Sequence, residues 1–148
     1  MFHSPEQKRK ILLNNYSNPG KQVEFEKLKK ISTDWKTPFL TVRSLDEGCG
    51  DTLHLLLVKE GDCLKKCLFS GQQSCLITVA ATNILLSSIE EKKLCSVKNL
   101  IDNCQKMLTG ENYNLNNCSD FQVFSDISQF PHRIECVKIV VRGIRSLL

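Results

Sequence analysis

The chain has 148 residues, a formal net charge of +4, eight cysteines and 41% hydrophobic residues, enough for one apolar core and a single domain over residues 1–148. The N-terminus MFHSPEQKRKILLNN lacks the apolar stretch of a secretory signal, and no apolar run approaches the length of a membrane span, so a cytoplasmic protein without membrane contact is expected. In a reducing compartment the thiols then divide into buried small hydrophobes, metal ligands and reactive nucleophiles. The basic residues fall in short runs such as KRK at 8–10 and KLKK at 27–30, with acids beside them and no aromatic interleaving. Solvated helix faces account for them, and no nucleic-acid partner is expected.

Residues 5–16 read as a short helix with Pro5 in its first turn and Ile11, Leu12 and Tyr16 on an apolar side, broken by SNPG at 17–20. The charged segment KQVEFEKLKKISTDW suggests a helical turn or two and carries no evident chemistry. FLTVRSL, TLHLLLV and CLKKCLF are strand-like, with KEGD at 59–62 as the connection between the last two. After residue 75 the period changes. CLITVAATNILLSSI is apolar nearly all round, as a buried helix is, and Val97, Leu100, Ile101, Cys104 and Leu108 recur at helical spacing up to Gly110. A last helix carries Ile134, Val137, Val140, Val141, Ile144 and Leu148 on one side. The expected architecture is α+β: a small three-stranded antiparallel sheet with about five helices packed against it.

Around a turn at 59–62, opposite residues of the hairpin sum to about 121, which brings Cys49 and Cys75 to its open end. Cys63 lies at the turn, roughly 20 Å away, and Cys67 is about 13 Å along the strand from Cys63, so both read as sheet packing. Asp51 follows Cys49 by two residues, which in an extended segment points both side chains the same way about 6.5 Å apart. Cys75 opens the buried helix, where the helix dipole favours a thiolate, with Ser74 as the expected N-cap. Two thiols and a carboxylate thus converge. For a fourth ligand, Cys95 and Cys104 are accounted for by packing, Cys118 sits in a polar loop without a placed neighbour, and His132 and Cys136 both stay open. His54 reads as a sheet-surface residue.

The stretches NNYSNPG, GCGDTLHLLLV, FSGQQSCLITVAATNIL and FPHRIECVKIVVRGI resemble, in order, the motifs of the U-type iron-sulfur assembly proteins: SufU, IscU and the N-terminal domain of NifU. The resemblance covers nearly the whole chain and is nearer to SufU, through the long stretch between Cys75 and Cys136 and through Glu135, where IscU proteins carry histidine. SufU proteins commonly carry lysine there, the family commonly has G-x-G-C where this chain has GQQSC, and the segment between Pro19 and Cys49 is longer than usual. The resemblance implies a metal site of Cys49, Asp51, Cys75 and Cys136, holding zinc or a nascent iron-sulfur cluster. It implies a zinc-bound sulfurtransferase that takes persulfide sulfur onto Cys49 from a cysteine desulfurase of the SufS type, with Arg133 stabilising the incoming anionic sulfur and His132 in the surroundings of the site. The alternative is a non-enzymatic scaffold that assembles a cluster and passes it to apoprotein acceptors. A closed structural zinc site normally uses four Cys or His ligands, against which Asp51 argues.

Overall fold

The computed structural model describes residues 3–44 and 51–148, with only the backbone at 128, 131 and 132. Cys49 lies outside the described residues.

Helix α1 (Pro5–Ser17) is started by a reciprocal cap: Gln7 N–H donates to the Ser4 hydroxyl at 3.2 Å and Ser4 N–H donates to the Gln7 side-chain oxygen at 2.8 Å. Pro5 at the first helical position loses no hydrogen bond there. The chain then passes along the edge of the sheet. Phe69 N–H donates to the Lys21 carbonyl at 2.9 Å and Val23 N–H to the Phe69 carbonyl at 2.8 Å, so residues 21–23 satisfy a stretch of edge that would otherwise stay open to another chain.

The charged segment forms more than a turn or two: it is the ten-residue helix α2 (Phe25–Asp34). Leu28 packs with Leu56, Val58 and Leu68 on one face of the sheet. Phe25 stacks on His54 at 4.2 Å between ring centroids, and the Thr41 hydroxyl lies 2.8 Å from the His54 Nδ1. His54 is therefore covered by α2 rather than presented on a free sheet surface, and this burial lowers its pKa, with Arg43 adding to the shift.

Strands β1 (Leu40–Arg43), β2 (Thr52–Glu60) and β3 (Cys63–Gln73) form an antiparallel sheet in the order β1-β2-β3. The hairpin is longer than the sequence suggested: Glu60 pairs with Cys63, leaving Gly61 and Asp62 as the turn, and Gly61 takes a φ of 62° that side chains with a Cβ rarely adopt. Two register shifts, between Thr52 and His54 and between Val58 and Lys59, move the open end so that Thr52 faces Gln73.

The other face of the sheet is covered by α3 (Leu76–Ile89) and α5 (Pro131–Leu147), and α4 (Leu94–Leu108) packs on α5 to complete the same core, as the apolar spacing predicts. Helix α3 is the most deeply placed, with ten of its residues buried, which is why its sequence is apolar nearly all round. Between α4 and α5 the chain makes two 3-10 segments, Asn116–Phe124 and Ile127–Gln129. Phe121, Val123 and Phe124 drive the first of these into the core, and Cys118 goes with them. The loop cysteine is thus buried, accepting a hydrogen bond from the Ser88 hydroxyl at 3.0 Å. Among the described residues no helix is long and apolar enough to cross a membrane.

Candidate metal centre

The hairpin's open end sets the site. Because Thr52 pairs with Gln73, the residues just beyond them, Asp51 on one side and Ser74 and Cys75 on the other, leave the sheet together. Ser74 Oγ donates back to the Thr52 carbonyl at 2.7 Å, which fixes this exit. Ser74 is therefore not the N-cap of α3. That position belongs to Cys75, which makes no side-chain cap bond.

Asp51 performs the capping from across the sheet. Cys75 N–H donates to Asp51 Oδ1 at 2.9 Å, and the Thr78 hydroxyl donates to Oδ2 at 2.6 Å. A carboxylate at the positive end of a 14-residue helix is well placed electrostatically. Thr78 also touches both cysteines of the site: its Oγ1 lies 3.5 Å from Cys75 Sγ and 3.1 Å from the Cys136 carbonyl oxygen. Sequence reasoning missed Thr78. Its signal was a hydroxyl one helical turn after Cys75 in an otherwise apolar helix.

Cys136 arrives from the second turn of α5, which packs across the start of α3. One donor atom each from Asp51, Cys75 and Cys136 lies within 4.8 Å of the other two. Asp51 and Cys136 are buried, whereas Cys75 is partly open to solvent. Of the six candidate site residues, the structure thus brings three together. Cys49 is outside the described residues, as is the side chain of His132, and Arg133 is exposed, its guanidinium 5.8 Å from the centre of the Phe130 ring.

The three donors fit a soft cation. A tetrahedral ion with Zn–S bonds of about 2.3 Å and a Zn–O bond of about 2.0 Å spaces its ligands by less than 4 Å, a small closure from the observed separations. At the position before Cys136, one carboxylate oxygen of Glu135 is buried and has no hydrogen-bond partner among the described residues.

Of the other described thiols, Cys67, Cys104 and Cys118 belong to the core. Burial pushes the Cys67 thiol up to about 12, with Glu90 adding to the shift and Lys21 opposing it. Cys104 is raised further, again chiefly by burial. Both lie in the core, as expected of small hydrophobes, while Cys63 is half-buried and Cys95 exposed.

A small sheet whose open end delivers a carboxylate and one thiol to a helix start, where the last helix adds a second thiol, defines a protein with a thiol-rich candidate metal centre. No family model matches the chain. It is 28% identical over 108 residues to the iron-sulfur cluster assembly scaffold protein IscU of Thermotoga maritima, covering 70% of this chain and 75% of that protein. It is 23% identical over 139 residues to the zinc-dependent sulfurtransferase SufU of Bacillus subtilis, covering 93% and 86%. Two solved structures share the fold, each with a TM-score of 0.74. One is FiSufU of Fervidobacterium islandicum AW-1, named for iron-sulfur cluster assembly in the SUF system, at 19% identity with 97% and 94% of the chains covered. The other is the N-terminal part of a NifU-like protein of Brucella abortus, at 13% identity with 93% and 88% covered. The chain is thus similar in sequence to curated proteins named for iron-sulfur cluster assembly and for zinc-dependent sulfur transfer, and it shares the SufU/IscU/NifU-like fold.

Proposed function

We propose that the chain accepts sulfur on Cys49 from a cysteine desulfurase of the SufS type and passes it into iron-sulfur cluster assembly, with Cys49, Asp51, Cys75 and Cys136 as ligands of a zinc ion. The observation that carries this reading is the convergence of Asp51, Cys75 and Cys136 within 4.8 Å. Cys49 precedes Asp51 by two residues, so the two Cα atoms are at most about 7 Å apart by chain geometry alone, within reach of a shared ion. The likeness to the zinc-dependent sulfurtransferase, which extends over 93% of the chain, supports the same assignment.

Zinc supplies a redox-inert charge that keeps its ligating thiols deprotonated. The Cys49 thiolate attacks the outer sulfur of the donor's persulfide. A new S–S bond forms on Cys49, the donor's S–S bond breaks, and the donor cysteine leaves as a thiolate, so no external oxidant or reductant is needed. Asp51 stays fixed during this exchange, because both of its oxygens are held by α3. Arg133, exposed at the start of α5, offers a cation to the incoming anionic sulfur. His132 precedes it and is a candidate hydrogen-bonding neighbour of the site. Alanine production by a SufS-type desulfurase should accelerate when the zinc-loaded protein is added, and the acceleration should vanish in Cys49→Ala. No acceleration by the wild type contradicts the reading.

The second reading is a scaffold on which an iron-sulfur cluster forms as cargo on Cys49, Cys75, Cys136 and Asp51 before release to an apoprotein. The similarity to the IscU scaffold of Thermotoga maritima, the higher of the two identities, supports it. Iron and sulfide retained through anaerobic purification, in place of zinc, would favour it.

A further inference from the structure

A recess of about 270 Å³ lies between the C-terminal part of α4 and the outer face of α5. Leu108 and Val141 line it, and both belong to the core cluster beneath. Lys138, Arg142 and Arg145 also line it, recurring at helical spacing so that they share one side of α5. Arg145 is neutralised by Asp102 at 2.8 Å. Arg142 instead donates to the Arg43 backbone carbonyl at 3.1 Å, a bond that orients the guanidinium without cancelling its charge. Among the described residues, neither Lys138 nor Arg142 forms an ion pair with a carboxylate. An apolar floor under two uncompensated cations is complementary to an aliphatic side chain flanked by carboxylates.

The recess is linked to the metal centre through Arg142 rather than through Lys138, which follows Cys136 by two residues and so lies on the opposite side of the helix from it. Arg43, held by Arg142, ends β1 immediately before Ser44, whose N–H donates to the Asp51 carbonyl at 3.0 Å. A partner seated on this face therefore lies beside both α5 and the end of β1, whose next residue, Ser44, is bonded to Asp51.

We propose that the α4–α5 recess docks an acidic, aliphatic-bearing segment of the cysteine desulfurase that donates sulfur, an inference that rests on the sulfur-acceptor reading above. Lys138 and Arg142 steer and hold the carboxylates, and the aliphatic side chain enters between Leu108 and Val141. The test is the calorimetric affinity of a SufS-type desulfurase for the wild type, for Lys138→Glu/Arg142→Glu, for the milder Lys138→Gln/Arg142→Gln, and for a control reversal at Lys29 and Lys30 on α2, at low and high salt. The expected result is binding weakened at least roughly tenfold by the double reversal at low salt, an intermediate loss for the neutral pair, a narrowing difference as salt rises, and no change in the control. Unchanged affinity in both recess variants overturns the inference, as does an equal loss in the control. Sulfur uptake by wild-type Cys49 from glutathione persulfide tests the parent reading separately. Uptake together with unaltered desulfurase binding by the recess variants rejects the docking site alone, whereas no uptake and no desulfurase binding by the wild type rejects both.

Discussion

The Thr78 hydroxyl and the Asp51 carboxylate meet at 2.6 Å, with Thr78 fully buried and Asp51 4% exposed. This bond ties the end of the hairpin to the first turn of α3 and orients a candidate metal ligand. Thr78→Val keeps the shape and removes one hydrogen-bond donor from a buried carboxylate. The expected cost is about 1.5–3 kcal/mol in urea unfolding, together with about a 10- to 100-fold loss of zinc affinity in a chelator competition. Thr78→Ser should restore most of both. A Thr78→Val protein with unchanged zinc affinity would show that Asp51 is oriented without it.

Gly143 lies where α5 crosses the sheet. A Cβ built there would come within 2.7 Å of Leu55 Cδ1 and 2.8 Å of Val42 Cγ2. Leu55 is fully buried and Val42 9% exposed, so neither can swing away freely. Although alanine gains about 1 kcal/mol in helix propensity over glycine, overpacking of this kind costs about 1–3 kcal/mol. Gly143→Ala is expected to lower the urea midpoint, and a raised midpoint would mean that α5 can lift off β1 and β2 without loss.

The core thiols make stability depend on alkaline pH. Cys67 is held up to about 12, above the ordinary 9.0, by burial first and Glu90 second. A raised folded-state value means that the unfolded chain ionises first. The contribution is fully present below pH 9 and is lost as pH rises from there toward 12, at about 1.4 kcal/mol per pH unit for each such thiol. Cys104 is displaced in the same direction and adds to the slope. Urea unfolding followed from about pH 8 to about pH 10.5 should show this decline, and Cys67→Ala should flatten it while lowering stability throughout. In the folded protein, alkylation at mildly alkaline pH should label the exposed Cys95 and spare Cys67 and Cys104.

Much of this architecture is legible in the sequence, because α3, α4 and α5 bury faces whose apolar residues recur at helical spacing. Helix α2 was hidden by composition. Its Lys and Glu residues face solvent, and the signal was the narrow stripe of Phe25, Leu28 and Ile31, three residues apart, which packs on the second face of the sheet. The hairpin register was displaced because Gly61 allows a turn shorter than KEGD and because two irregularities follow, neither of which alternation along a strand can reveal. Cys118 was obscured by its polar neighbours, although Phe121, Val123 and Phe124 just after it pull that segment inward. At the site, the meeting of Asp51 with Cys75 follows from the hairpin. Cys136 was reached through family resemblance, since the packing of α5 across α3 leaves no local trace in the chain.

Metal binding should depend on the three gathered residues in a graded way. Cys75→Ser and Cys136→Ser each remove a thiolate from a soft site and should abolish tight zinc binding, whereas Asp51→Asn keeps an oxygen donor and should weaken it less. Cobalt substitution monitored by absorption reads this directly, because thiolate-to-cobalt charge-transfer intensity scales with the number of sulfur ligands. Equal intensity in wild type and Cys136→Ser would remove Cys136 from the ligand set.

Mass spectrometry of the zinc-loaded protein after incubation with a SufS-type desulfurase and cysteine, under anaerobic conditions, tests the sulfur-acceptor reading most directly. The expected product is one additional sulfur atom on the peptide containing Cys49, absent in Cys49→Ala and absent without desulfurase. Sulfur found only on other cysteines, or none at all while the desulfurase turns over, would contradict it.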